Sequence, residues 1–477
     1  MSLESTTVGA PAVTRSAHRW WALGVLALAQ FLVVLDASIV NIALPALGTQ
    51  LHLDTAALAW VITAYVLPFG GLLLLGGRLA DRYGHRRVFL IGVAGFVVAS
   101  AIAGLSVSGG MLLAARAVQG ASAALLAPAS LALVTQLFVT GRDRAKALGV
   151  WGAVAGIGSA AGVLLGGVLT ALLGWQAVFF VNVPVGVVVL VAIPFLVGRD
   201  PAGDRQRMDI AGAATITAGL TALVAALSFA GQLGWASPVT LGTSAAALAL
   251  LAAFVLVERR AAHPLVPFAF FRNRDAATGN VVMLLAGGAT TALFFALSVY
   301  LQEVLGYDAL TAGISQLPLA GSLVVIAAVV PALIAKLGLR PTLVAALLVF
   351  AGGMLWLAAA GPHASFVGGL LGPSILIGAG LGAGFITATQ LAVDGATAQD
   401  SGLASGLVNT SQQIGGALGL AVLGSVAAAR TTAGLSAGDP AATAVSDGFS
   451  LLFVGTAVLA IIGAVVVVLL RQRRTGA

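Results

Sequence analysis

The sequence predicts an all-α polytopic membrane protein: fourteen spans, arranged as two six-helix bundles with two inserted helices. Three observations carry this expectation. The 477 residues are 60% hydrophobic and 8% charged, whereas an ordinary soluble domain is about 25% charged. Apolar stretches of roughly 20 residues, each long enough to cross about 30 Å of hydrocarbon, recur fourteen times. Part of the second half also repeats the first.

The spans are read as 20–44, 57–77, 87–106, 110–134, 146–170, 176–197, 209–230, 239–257, 277–300, 311–334, 341–360, 365–390, 404–428 and 448–470. Residues 1–19 form a polar N-terminal tail and 20–197 the first bundle. Residues 198–276 hold the two extra helices and inner linkers, 277–470 the second bundle, and 471–477 the C-terminal tail. The first apolar run is too long for a signal-peptide core and lacks a small-residue cleavage pattern, so it is expected to be retained.

Charge placement tests the count. With a cytoplasmic N-terminus, the inner segments hold 21 of the 23 lysines and arginines. Only Arg430 falls outside, and Arg116 falls inside a span. This asymmetry follows the positive-inside rule and places both ends in the cytoplasm of a multi-pass cell-membrane protein. The net charge of +7 is scattered over short inner loops, which argues against a nucleic-acid partner. Trp20, Trp21, Trp175 and Trp235 sit at span ends, where an aromatic belt belongs.

The repeat runs between Gly77-Arg78-Leu79-Ala80-Asp81-Arg82-Tyr83-Gly84-His85-Arg86-Arg87 and a degraded copy at Pro331 to Pro341, 254 positions later. Asp54 meets Asp308 at the same offset. At an offset of 257, Gly158 meets Gly415 and Gly162 meets Gly419. Parallel six-span repeats are a transporter signature, with the substrate site near the midplane between the halves.

Span 1 ends in Leu35-Asp36-Ala37-Ser38-Ile39-Val40-Asn41-Ile42-Ala43-Leu44-Pro45. A charge at that depth costs about 2.5–3.5 kcal/mol on insertion scales, so Asp36 is a functional-site candidate. Arg116, Gln119 and Gly120 share one face of span 4. By helical rise, Asp36 and Arg116 lie roughly 12 Å and 9 Å from the outer ends of their spans, so they can pair. Arginine favours the ionised acid and apolar surroundings the protonated one. A switch between these settings would load a proton; a static pair tying helices together is the alternative. Asn41, Gln119, Phe31, Phe294 and Phe295 are candidates for lining the substrate cavity.

The 77–87 loop joins spans 2 and 3. Its glycines Gly77 and Gly84 permit a tight turn. Asp81 stands among Arg78, Arg82, Arg86 and Arg87, where it can hold a charge-assisted network or meet a helix N-terminus. In span 5, Gly158, Gly162 and Gly166, followed by Gly167, form a small-residue stripe that lets another helix approach closely.

There are no cysteines, and all five histidines fall outside or at the edges of the spans. No metal centre and no cofactor are expected. Neither lysine follows a glycine in a GxxxxGK pattern, so ATP is not expected as the energy source, and energy must come from a gradient or from the solute itself. A monomer is expected.

Together these residues resemble the major facilitator superfamily, and within it the fourteen-helix drug/proton antiporters of the EmrB/QacA type. The likeness lies in the span-1 motif from Leu35 to Pro45, the Gly77–Arg87 loop, and Arg116-x-x-Gln119-Gly120. It continues in Trp175 through Gly186, in Tyr300-Leu301-Gln302 with Gly306-Tyr307, and in Asn409 through Gly419. One departure stands out. Span 5 reads Gly162-Val163-Leu164-Leu165-Gly166-Gly167, with Val163 where the antiporter motif usually has proline. The resemblance implies alternating access, proton-coupled export of lipophilic compounds, and a loop in which Asp81 and its arginines latch the inner ends of the halves. A proton-coupled uptake symporter or uniporter in the same fold is the alternative.

With Asp36 and Arg116 cancelling, the cavity is expected to be near neutral. Glu303 and Asp308 are placed in an outer loop. A dication entering the cleft would meet at most one anion, and an uncompensated buried charge costs several kcal/mol. Neutral or monocationic amphipathic solutes are therefore the expected cargo.

Overall fold

The protein is described here by a computed structural model covering residues 16–138, 141–198, 209–261, 264–265, 268–393 and 401–470. The tail segments 1–15 and 471–477, with Arg15, Arg471, Arg473 and Arg474, lie outside the described residues, as do Arg199, Arg205 and Arg207. Fourteen long helices account for nearly all of the described residues. They are α1 (Ser16–Leu51), α2 (Thr55–Tyr83), α3 (His85–Gly104), α4 (Gly109–Leu137), α5 (Gly141–Leu173) and α6 (Ala177–Leu196). Then follow α7 (Ile210–Leu233), α8 (Pro238–Arg260), α9 (Arg274–Val304), α10 (Ala309–Leu337), α11 (Leu339–Ala358), α12 (Phe366–Val393), α13 (Ser401–Ala437) and α14 (Ala441–Leu469). A bilayer offers backbone groups no water, so each span satisfies its own N–H and C=O groups as a helix.

Local chemistry sets the ends. Asp54, Ser108 and Asp308 accept from backbone N–H groups at the starts of α2, α4 and α10. Asp54 and Asp308 are the pair 254 positions apart, and they cap corresponding helices. The Thr311 bonds hold the exposed Asp308 carboxyl below the usual aspartate range. The 77–87 stretch departs from the expected loop. α2 continues to Tyr83, and the turn is confined to Gly84 at φ 94°. Gly338, its repeat partner, does the same between α10 and α11 at φ 89°. Gly77 is therefore helical and plays no part in the turn. The polar residues beyond it keep helical backbone because the next chain reversal needs only one left-handed glycine. Glu303 also differs from its expected loop position: it lies in a π-helical turn that extends α9.

Helices α1–α6 pack among themselves, as do α9–α14; α7 covers α2 and α13, and α8 packs on α7. The repeat is visible in the packing. A Cβ on Gly158 or Gly162 would press against Val34 and Ser38 of α1, and one on Gly415 or Gly419 against Leu284 and Gly288 of α9. Position 36 thus corresponds to position 286, an alanine. A Cβ on Gly120 would meet Tyr65 O, and one on Gly378 would meet Leu319 O, which sets Arg116 against Ser374. With an even number of helices, the start of α1 and the end of α14 lie on one face, the terminal face; the other is the distal face.

The absence of native cysteine makes the topology testable. Single cysteines at Val107, Ala236 and His363, all exposed on the distal face, should react with an impermeant thiol reagent added to intact cells. Cysteines at Tyr83 and Leu337, exposed on the terminal face, should react only in inverted vesicles. Labelling of any distal position from the cytoplasmic side alone would break the fourteen-span order.

Candidate functional site

Asp36 and Arg116 meet inside the first bundle, fully shielded from solvent. Arg116 Nη1 donates to Asp36 Oδ2 at 2.5 Å, with side-chain exposures of 2% and 0%. Asp36 Oδ1 accepts from Gln119 Nε2 at 3.1 Å and from Asn182 Nδ2 at 2.9 Å. The guanidinium is held on every side. Its Nη1 also donates to Gln119 Oε1 at 2.9 Å, and its Nε donates to Val61 O at 3.2 Å. Its carbon stands 4.3 Å from the Tyr65 ring centre and 5.9 Å from that of Phe179, a cation–π stack in a dry environment. Ser100 Oγ accepts from Gln119 Nε2 at 2.6 Å and from Asn182 Nδ2 at 3.4 Å. Three donors converge on a carboxylate that can only accept, so this shell fits ionised Asp36.

Five helices build the site. α1 brings Asp36, α2 Tyr65, α3 Ser100, α4 Arg116 and Gln119, and α6 Asn182. Arg116 and Gln119 are i, i+3 on one helical face, so both reach the same carboxylate. Asn182 follows an interruption of α6 at Val181. Pro184 has no N–H to give the Phe180 carbonyl, which breaks the ladder there. Sequence reasoning missed Asn182, Ser100 and Tyr65 as partners. An amide within the apolar run Phe179-Phe180-Val181-Asn182-Val183 is the signal that could have found the first.

The corresponding place in the second half carries none of this. Ala286 stands where Asp36 would be and lines a small apolar cavity with Val282, Leu285, Phe350, Leu381 and Phe385. Among the described residues, this buried network belongs to the first half.

A second feature involves the distal ends. Pro45 lies inside α1, and its missing N–H leaves the Asn41 carbonyl without a helical partner. Ser298 Oγ of α9 donates to that carbonyl at 2.5 Å, and Gln302 Nε2 donates to Ile42 O at 3.0 Å. These bonds cross between the halves. Beside them, a Cβ on Gly167 would fall 2.7 Å from Ala309 O, and one on Gly313 2.9 Å from Val163 O. Two glycines thus let α5 and α10 touch through their backbones. Gly158, Gly162 and Gly166 seat α5 on α1, whereas Gly167 faces the other half.

The remaining candidates separate. Asn41 is 8% exposed, and its Nδ2 donates to Ala37 O. Ala37 is exposed although mid-helix; it lies with Asn41 on the face of α1 turned toward the other half. Phe31 and Phe294 are half-buried. Phe295 is 1% exposed and belongs to the bundle core, so it does not line a cleft: its side of α9 packs inward. On the terminal face, Asp81 meets His85 Nε2 at 3.1 Å, with its side chain 68% exposed. His85 Nδ1 contacts Gln136 at 3.0 Å. Arg78 donates to Pro264 O and Arg86 to Pro194 O. Arg82 stacks on Tyr83, and Arg87 is exposed.

Comparison with known proteins agrees with this architecture. The model of the Major Facilitator Superfamily matches residues 26–420. The chain is 43% identical to a cephamycin export protein of Amycolatopsis lactamdurans, over 90% of this chain and 88% of that one. It is 40% identical to a puromycin resistance protein of Streptomyces alboniger, over 90% and 86%. Among solved structures, an auto-inhibited peptide transporter of the POT family superposes with a TM-score of 0.71 at 17% identity, covering 97% of this chain and 98% of that one. At that identity the likeness concerns the fold alone.

Two outcomes follow from the geometry. Arg116→Ala strands an ionised carboxylate in the bundle and should destabilise the purified protein by about 3–5 kcal/mol, read as a lowered thermal-inactivation midpoint. The neutral double variant Asp36→Asn/Arg116→Gln should recover most of that loss. If it stays as unstable as Arg116→Ala, charge compensation is not what holds the site. Ser298→Ala with Gln302→Leu leaves the Asn41 carbonyl unsatisfied in the closed arrangement, at about 1–3 kcal/mol. A cysteine at Ala37 should then label faster from the distal side; an unchanged rate would show that these bonds do not hold the distal end closed.

Proposed function

The chain belongs to the major facilitator superfamily, and from that membership we propose that it exports lipophilic small molecules across the cell membrane in exchange for protons, by alternating access. The observation that carries the reading is the Asp36–Arg116 pair, buried in one half of a repeat whose other half is apolar at the same place. A purely structural pair is costly and of doubtful net stability; a carrier of protons needs a titratable acid in a gradient-crossing fold. Ionised Asp36 cancels Arg116. Protonated Asp36 leaves that cation uncompensated, and the several-kcal/mol change biases the two conformations.

The sealed distal end and the exposed Asp81 suit the half-cycle open to the cytoplasm, with both chain ends on that side. In the opposite half-cycle, Asp81 and its arginines would latch the terminal ends of the halves. The cargo would enter the face of α1 that presents Ala37 and Asn41, with Phe31 and Phe294 nearby. Relatives named for cephamycin export and puromycin resistance support natural-product antibiotics as the substrate class. The few charges along these helices support neutral or monocationic solutes.

Transport in energised inverted vesicles tests the reading. Native protein should accumulate substrate when the lumen is acidified, and Asp36→Asn should abolish that pH-driven uptake while substrate binding persists. Unchanged pH-driven transport in Asp36→Asn would refute the carrier. Accumulation in right-side-out rather than inverted vesicles would make the protein an importer. In a pump-deficient host, resistance to a monovalent dye should exceed resistance to a divalent dye of similar size. Equal protection would mean that a further carboxylate faces the cleft.

A further inference from the structure

We propose that Asn182 is the positioning residue that lets Asp36 both take up and release a proton, by reversing the direction of the hydrogen bond between them. The inference rests on Asp36 being the proton carrier.

Every group bonded to the Asp36 carboxylate is a donor: Arg116 Nη1, Gln119 Nε2 and Asn182 Nδ2. A proton added to either oxygen needs an acceptor, and the shell in its present arrangement offers none. Arginine has no acceptor at all. The Gln119 carbonyl oxygen already accepts from Arg116 Nη1 at 2.9 Å, so Gln119 cannot turn over without releasing the guanidinium. Ser100 Oγ is engaged by both amides. One acceptor is left. Asn182 Oδ1 is buried without a hydrogen-bond partner, in a residue that is 0% exposed. Eight buried side-chain atoms among the described residues lack a partner; this one belongs to an amide already bonded to the Asp36 carboxylate.

The other groups around Asp36 do not supply one. Arg116 from α4 and Tyr65 from α2 are the charged and titratable groups facing it among the described residues. α3 presents Ser100, and α6 presents Phe179 and Asn182. α5 presents Gly158, Gly162 and Gly166, and α9 hydrogen-bonds to α1 through Ser298 and Gln302, at Asn41 and Ile42.

Rotation of the Asn182 carboxamide about χ2, a broad torsion with two nearly equivalent settings, exchanges its nitrogen and oxygen. In the ionised state Asn182 Nδ2 donates to Asp36 Oδ1. In the protonated state the proton sits on Asp36 Oδ1 and is donated to Asn182 Oδ1. Arg116 keeps Asp36 Oδ2, Gln119 and the Val61 carbonyl throughout. The proton leaves from the same oxygen by which it entered. Neither setting satisfies the whole amide: the ionised state idles its oxygen, and the protonated state takes its nitrogen off Asp36. A shell complementary to one state alone would hold Asp36 there; this one keeps both within reach.

Infrared difference spectra between acidic and alkaline pH, on purified protein in lipid with isotopically labelled asparagine, test this. Native protein should show a protonated-carboxyl band that is absent in Asp36→Asn. With it should come a downshifted asparagine side-chain carbonyl band that is absent in Asn182→Leu. In vesicles, Asn182→Leu should lose about ten-fold in proton-driven export, the worth of one bond to a charged group. Its pH profile should also move, while solute counterflow stays intact. Asn182→Thr, whose hydroxyl can both donate and accept, should regain much of the coupling. Equal impairment of the Thr and Leu variants would overturn the proposal. So would a carboxyl band that appears with no movement of the Asn182 band. Absence of the Asp36 carboxyl band from native protein would instead remove the carrier, and this inference with it.

Discussion

A single charge pair in a medium that excludes charge constrains everything around it. Asp36 and Arg116 are both withdrawn from solvent, and hydrocarbon offers neither a hydration shell. Their mutual bond is therefore not enough. Each remaining lone pair and N–H must find a partner from the helices that surround them. That requirement explains why two amides, a hydroxyl, a backbone carbonyl and an aromatic face converge on one spot from five helices. At the same place the second bundle, lacking the pair, has an apolar cavity.

Asymmetry between otherwise related halves has a functional consequence. Glycines seat α5 on α1 and α13 on α9 in the same way, so the halves share a backbone plan. They differ in what the plan holds. At this depth the acid lies in the first half, with Ala286 at the matching place in the second. On the proposed reading, a conformational equilibrium between the halves is biased by a proton taken up on one side of the seam.

The contacts between the halves are those of surfaces that must part again. At the distal end they include two side-chain donors on the α1 carbonyls of Asn41 and Ile42 and the glycine-lined approach of α5 to α10; nearer mid-span, Gly70 and Gly416 let α2 pack on α13. None of these buries a charge. Bonds of this kind cost about 1–3 kcal/mol to leave unmade, enough to define a closed state yet small against the free energy that a proton and a substrate supply. Pro45 is the economical element here. By removing one N–H it creates both the defect in α1 and the acceptor that the other half uses.

An all-helical membrane fold and the order of its helices were legible in the sequence, because hydropathy acts locally along the chain; the positive-inside rule adds an expected sidedness. The sequence also singled out Asp36 and Arg116, since a charge inside an apolar run is conspicuous and helical rise fixes its depth. The caps at Asp54 and Asp308 and the turn glycines Gly84 and Gly338 were readable as repeated pairs. Which neutral polar groups attend the pair follows from the packing of the helices rather than from local sequence. Asn182 and Ser100 are 82 positions apart, and neither residue type is unusual in a membrane helix. Their direction depends on how α3 and α6 are rotated against α1. The fate of Phe295, buried while Phe294 is half-open, depends on the same rotation: adjacent residues on a helix point about 100° apart, and composition does not say which one faces the core.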